Sequence, residues 1–128
     1  MATTSIIELT APDSTDRHLV SVFYDGDDVG LRLGELIARD GYPTVFTTLT
    51  AQPSRNWREL DPTTTDQLPE HITRFPENAD THSAVAGYGV LLVGADEITA
   101  AEIATWNPDT ARDRQYRVHA DGTIHTLR

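Results

Sequence analysis

Residues 28–40, DVGLRLGELIARD, carry the strongest structural instruction in the chain. Val29, Leu33, Leu36 and Ile37 fall at i, i+4, i+7 and i+8, which is one face of an α-helix. Asp27 and Asp28 precede that face, and either can cap the free N–H groups of the first turn, where acidic charge also suits the helix dipole. Gly41 follows the last periodic residue and Pro43 bars continuation, so the stop is written as well. Gly30 and Gly34 each lower helix propensity by about 1 kcal/mol relative to Ala. A glycine pair four apart implies close approach to a strand or another helix.

The flanking segments are β-prone. Residues 5–9 and 18–24 read as two strands, the second with Val20, Val22 and Tyr24 on one face, and the turn chemistry of APDSTDR makes them antiparallel neighbours. Residues 44–50 (TVFTTLT) return to β character. From 51 to 83 the chain is rich in Pro, Thr, Asp and Asn and reads as an irregular loop, with a short helical possibility over 54–60 and Trp57 as its anchor on the core. Residues 86–93 (AGYGVLLV) are nearly all apolar and predict a central strand covered on both faces. Thr99 and Glu102 form a capping box, with Ile98 and Ile103 as its hydrophobic staple, opening a short helix to Trp106. Residues 115–128 read as a β-hairpin around Asp121-Gly122. The expectation is a single α/β (α+β) domain over residues 1–128. It has a mostly antiparallel sheet of about five strands, one main helix, one short helix and a C-terminal hairpin.

Composition narrows the function classes. The 128 residues suffice for a core without staples, and the lack of cysteine removes disulfides, thiolate metal sites and a Cys nucleophile. No apolar run reaches the roughly 20 residues a membrane helix needs, and the N-terminus has no signal-peptide pattern, so a cytoplasmic location is the default. Twenty acidic residues against ten basic ones, all Arg, give a net charge of −10. That field repels phosphate backbones and disfavours direct nucleic-acid binding.

The acidic and histidine residues suggest two metal arrangements. Asp25 and Asp27, with Asp96 and Glu97 as a second acidic pair, resemble the two-metal motifs of palm-type nucleotidyl cyclases and polymerases, which use Mg²⁺. The capping box directly after Glu97 argues that Asp96 and Glu97 compensate a helix dipole instead, and no phosphate-binding loop accompanies them. For a histidine site, a two-residue turn at Asp121-Gly122 pairs His119 with Ile124 and Val118 with His125, sending the imidazoles to opposite faces. His71 and His82 lack ligand spacing, and His18 opens a strand. No GxSxG elbow surrounds any serine.

The order of features resembles a family of small uncharacterised proteins from actinobacteria, other bacteria and phages, in which a strand runs into an aromatic-Asp-Gly signature (HWDGYP…G) and then an amphipathic helix. Phe23-Tyr24-Asp25-Gly26 stands for that signature and Val29-Gly30 for its close, without its His, Trp and Tyr-Pro. The likeness continues through Ala51-Gln52-Pro53, Trp57, Leu60-Asp61-Pro62, Gly87-Tyr88-Gly89-Val90 and the C-terminal strand pair. It implies a small α/β domain with no assigned reaction, in which Asp25-Gly26 is a turn needed by the fold. The functional expectation is a non-enzymatic accessory protein of phage or mobile-element type. It acts on a protein partner without a cofactor, through a surface including Asp25, Asp27, Asp28 and Trp57. The alternatives are the Mg²⁺-dependent nucleotide enzyme using Asp25, Asp27, Asp96 and Glu97, an acidic DNA-mimic decoy, and a virion component.

Overall fold

The computed structural model describes residues 4–24, 28–52, 55–93 and 114–127. Strands β1 (Ser5–Thr10) and β2 (Arg17–Val22) form the expected antiparallel pair, with Ile7 opposite Val20. Alternation sends Ile7, Leu9, Val20 and Val22 into the core, while Glu8 and Ser21 face the other side of the sheet. Helix α1 (Val29–Asp40) buries Val29, Leu33 and Leu36 and packs Ile37 against the core, as the periodicity predicts. Asp28 occupies the N-cap position, but its carboxylate makes no capping bond. Its backbone is already near-helical (φ −99°, ψ −4°), and a cap needs an extended residue there to turn the side chain back. At the far end Gly41, with φ +83°, closes the helix through its N–H to the Ile37 carbonyl.

The expected strand over 44–50 is instead a second helix, α2 (Tyr42–Thr50). Pro43 lies in its first turn, where a missing N–H leaves no helical bond unmade, so the residue that stops α1 also starts α2. Tyr42, Val45 and Leu49 form the buried face. The β-prone threonines are accommodated by back-bonding: Thr47, Thr48 and Thr50 donate their hydroxyls to the carbonyls of Pro43, Thr44 and Phe46. Tyr42 donates to the Thr10 carbonyl at 2.6 Å, tying α2 to β1.

The 51–83 stretch is also corrected, since it contains regular structure. Residues 56–60 form strand β3 (Asn56–Leu60), in the middle of the sheet, where a helical turn was expected. Trp57 and Leu60 both reach the core three residues apart, as on a helix, because the ladder to the next strand shifts by one residue between Trp57 and Glu59. That β-bulge supplies the extra residue. Beyond β3 come α3 (Glu70–Thr73), a 3₁₀ segment (Pro76–Asp80), β4 (His82–Val85) and β5 (Gly89–Leu92). The apolar run at 86–93 therefore divides into a turn and a short strand, second from the sheet edge.

Strands β6 (Arg114–Val118) and β7 (Ile124–Thr126) make the C-terminal hairpin, β6 pairing parallel to β1. The fold is thus mixed α+β, with a sheet of order β4-β5-β3-β2-β1-β6-β7. The parallel neighbours β2 and β3 are joined by a crossover that carries α1 and α2 on one face. The end of α1 is clamped to the β4–β5 turn: Tyr88 donates to the Asp40 carboxylate at 2.6 Å and Arg39 donates to the Gly87 carbonyl at 2.9 Å. Arg39 and Tyr88 together hold the Asp40 carboxyl down to about 2. On the opposite face of the sheet, Glu8 is 2% exposed and accepts from Arg17 at 3.0 Å and Arg117 at 2.7 Å. The capping box at 99–102 and the helix predicted to follow it lie outside the described residues.

Candidate functional site

The parallel ladder between β2 and β3 runs past the end of β2, with Phe23 and Tyr24 donating to the carbonyls of Trp57 and Arg58 at 2.9 Å each. This extension sets Tyr24 directly beside the bulge. The Arg58 guanidinium lies over the Tyr24 ring, 4.2 Å from its centroid, and Tyr24 remains 40% exposed. At such a distance the cation is attracted by the negative face of the ring.

Arg58 is held from two further sides. It donates to His82 Nε2 on β4 at 3.4 Å, and its Nε stands 3.7 Å from Glu59 Oε1. Accepting at Nε2 leaves the His82 proton on Nδ1, which donates to Thr81 Oγ1 at 2.8 Å. Burial, and then the Arg58 charge, push His82 below its ordinary value, consistent with a neutral ring. Glu59 also accepts from His71 Nε2 on α3 at 2.7 Å. The bulge is what allows this arrangement. By breaking strict alternation it lets Arg58 and Glu59 serve one cluster, while Trp57 and Leu60 stay in the core.

Chemically the cluster is an ordered set of aromatic, cationic and imidazole groups at the surface. Glu59 is 9% exposed and orients a half-exposed His71, as a carboxylate orients an imidazole in acid–base sites. Two shallow depressions of about 400 and 330 Å³ lie along α2, one lined by Pro12, Asp13, Pro43, Phe46 and Thr47, the other by Pro43, Thr44, Thr47 and Thr48.

The residues singled out by sequence fare unevenly. Asp28 is exposed at the start of α1. Asp25, Asp27, Asp96 and Glu97 lie outside the described residues. Trp57 is a correction: it has no exposed area, being a core anchor and not part of any surface. Tyr24, Arg58, Glu59, His71 and His82 were not read as a group, since their order along the chain follows no single period. The only local hint was Trp57 and Leu60, whose spacing marks the bulge in retrospect.

The second correction concerns the hairpin. The observed register pairs Val118 with Ile124 and Arg117 with His125, one residue away from the two-residue turn expected at Asp121-Gly122. His119 accepts from Gly122 N–H and donates its own N–H to the Thr123 carbonyl, both at 2.9 Å, so the turn spans three residues and Gly122 takes φ +88°. A one-residue slip moves a side chain to the other face. His119 and His125 therefore meet on the same side, with Nε2 of the first 3.1 Å from Nδ1 of the second. Among the described residues, no three His, Asp or Glu side chains are grouped to hold a metal ion.

Compared with known proteins, the chain matches no family model, no curated protein and no solved structure.

Proposed function

We propose that this chain is a non-enzymatic accessory protein that works by docking onto a protein partner, through the surface that residues 55–93 build beside Tyr24. The observation that carries this reading is the Tyr24–Arg58 stack. Tyrosine and arginine dominate the energetics of protein interfaces because each offers a large, rigid contact area and a polar tip. Arg58 is already held by His82 and Glu59, so little side-chain freedom remains to be lost on binding. Phe75, 51% exposed between α3 and the 3₁₀ segment, adds an apolar contact on the same segment of chain. The acidic balance of −10 and the exposed Asp28 supply the rim and favour a basic counterpart. The phage or mobile-element setting and the cytoplasm rest on the resemblance and on the cysteine-free composition.

Co-purification of the tagged chain from cells that naturally contain it tests the reading. A partner at fixed stoichiometry should be retained by Leu31→Ala, which alters the exposed outer face of α1. It should weaken roughly thirtyfold in Kd with Tyr24→Ala, the loss of about 2 kcal/mol expected of an interface anchor. A complex indifferent to Tyr24→Ala removes this surface. One that dissolves steeply with salt yet is indifferent to Tyr24→Ala points to the charge-driven decoy instead.

A further inference from the structure

We propose that His119 and His125 form a two-imidazole chelating site for a d-block divalent cation of the Cu²⁺, Ni²⁺ and Zn²⁺ class. Metal–nitrogen bonds of about 2.0–2.1 Å, meeting at between a right angle and the tetrahedral angle, hold their nitrogens about 2.9–3.4 Å apart. His119 Nε2 and His125 Nδ1 stand 3.1 Å apart, within that bite. The rings lie edge to face, with centroids 4.6 Å apart and planes 81° apart. With the protons on His119 Nδ1 and His125 Nε2 both facing nitrogens carry lone pairs, and χ2, a soft torsion for imidazole, lets the rings turn them toward one ion.

The backbone sets this spacing in advance. His125 lies within β7 and His119 directly follows β6, in a turn closed by the two His119 backbone bonds and by the Asp121 carboxylate accepting the Thr123 N–H at 2.9 Å. The turn rests on the helical layer, since a Cβ on Gly122 would meet Tyr42 at 3.1 Å and Ile37 at 3.5 Å. Ligands on strands hold their geometry better than ligands on free loops. Arg117, the cross-strand neighbour of His125, is engaged by buried Glu8 at 2.7 Å, while Asp121 places a carboxylate on the turn between the two histidines. Water or a partner's side chain would complete the coordination. Imidazole favours Cu²⁺, Ni²⁺ and Zn²⁺ over the oxygen-seeking Mg²⁺ and Ca²⁺, so this site is distinct in chemistry from any aspartate site.

Calorimetric titration of the full chain with NiCl₂, ZnCl₂ and MgCl₂ tests the inference. One Ni²⁺ or Zn²⁺ should bind per chain, and MgCl₂ should give no binding heat. His119→Ala and His125→Ala should each weaken binding on the order of a hundredfold, the loss of an intramolecular second ligand. His71→Ala should leave it unchanged. Zinc-induced shifts of both imidazoles in nitrogen NMR spectra provide a second readout. No binding at millimolar metal, loss in only one of the two variants, or full affinity in the double variant overturns the chelate, and the 3.1 Å contact is then a hydrogen bond between the rings.

Discussion

Gly30 of α1 lies against the ring of Tyr116 on β6: a Cβ at position 30 would sit 2.7 Å from Tyr116 Cε1. Tyr116 is 3% exposed and packs in the core, where close packing resists a shift of its ring. Gly34, one turn on, meets nothing within 4 Å of such a Cβ. The two glycines share a helix face in sequence and differ in cause, and alanine substitution separates them with opposite signs. Gly34→Ala should stabilise by up to about 1 kcal/mol, the helix-propensity gain alone. Gly30→Ala should destabilise by about 1–2 kcal/mol, because overpacking outweighs that gain. Urea denaturation of both variants checks the pair.

Glu8 is buried between two arginines on the face of the sheet away from the helices, with Arg17 and Arg117 keeping 43% and 33% of their side chains exposed. Glu8→Gln keeps the shape and removes the charge. Hydrogen bonds to charged groups contribute about 1.5–3 kcal/mol, and the partly solvated guanidinia place this variant at the lower end, at about 1–2 kcal/mol lost. Arg117→Ala should be more damaging than Arg17→Ala, because its bond to Glu8 is shorter, 2.7 against 3.0 Å, and less exposed. Equal effects in a denaturant series would show that the difference in distance and exposure between the two pairs carries no energy.

The elements legible in sequence were those written in local periodicity. The β1–β2 pair and α1, with its Gly41 stop, follow from residues within one or two turns of each other. Residues 44–50 misled because β propensity is weak and Pro43 has two meanings, the end of one helix or the first turn of the next. Residues 56–60 form a strand because of long-range pairing, and its bulge, which sends both Trp57 and Leu60 to the core, removes the local alternation that would declare it. The Glu59–His71 contact joins residues 12 apart on different elements, and Arg58–His82 spans 24, distances at which no periodic signal survives. For His119 and His125 the location of the turn was readable and its length was not. One residue of turn length decides whether the rings part or meet.

The pH dependence of stability should carry a histidine signature. Burial, and then the neighbouring Arg55, push His18 below its ordinary value of 6.5, with Asp16 opposing, and His18 Nδ1 accepts from Arg55 at 2.8 Å. Burial and Arg58 do the same to His82. A lowered folded-state value means that the unfolded chain binds more protons in mild acid. Stability is then full above about pH 6.5 and declines as pH falls toward the folded-state values. Thermal melts from neutral to about pH 5 should show this decline. His18→Asn, which keeps an acceptor for Arg55 but cannot titrate, should flatten it; a slope as steep as that of the parent chain in both His18→Asn and His82→Asn would assign the decline to other groups.

The hairpin turn offers the most direct check on the register that brings the histidines together. Gly122 has φ +88°, in the left-handed region where a Cβ meets its own backbone, and the added methyl would also press on Tyr42 at 3.1 Å. Gly122→Ala should therefore cost about 1–2 kcal/mol. Gly122→Asn tolerates that backbone better, so it should lose less despite its larger side chain, unless contact with Tyr42 dominates. The two variants thus separate backbone strain from packing, and the order of their denaturation midpoints decides between them. Were the turn two residues long, with Asp121 and Gly122 both in left-handed geometry, Asp121→Gly would relieve strain and stabilise the hairpin. In the three-residue turn Asp121 instead holds the Thr123 N–H at 2.9 Å, so Asp121→Gly should destabilise, by about 0.5–1.5 kcal/mol for the lost hydrogen bond.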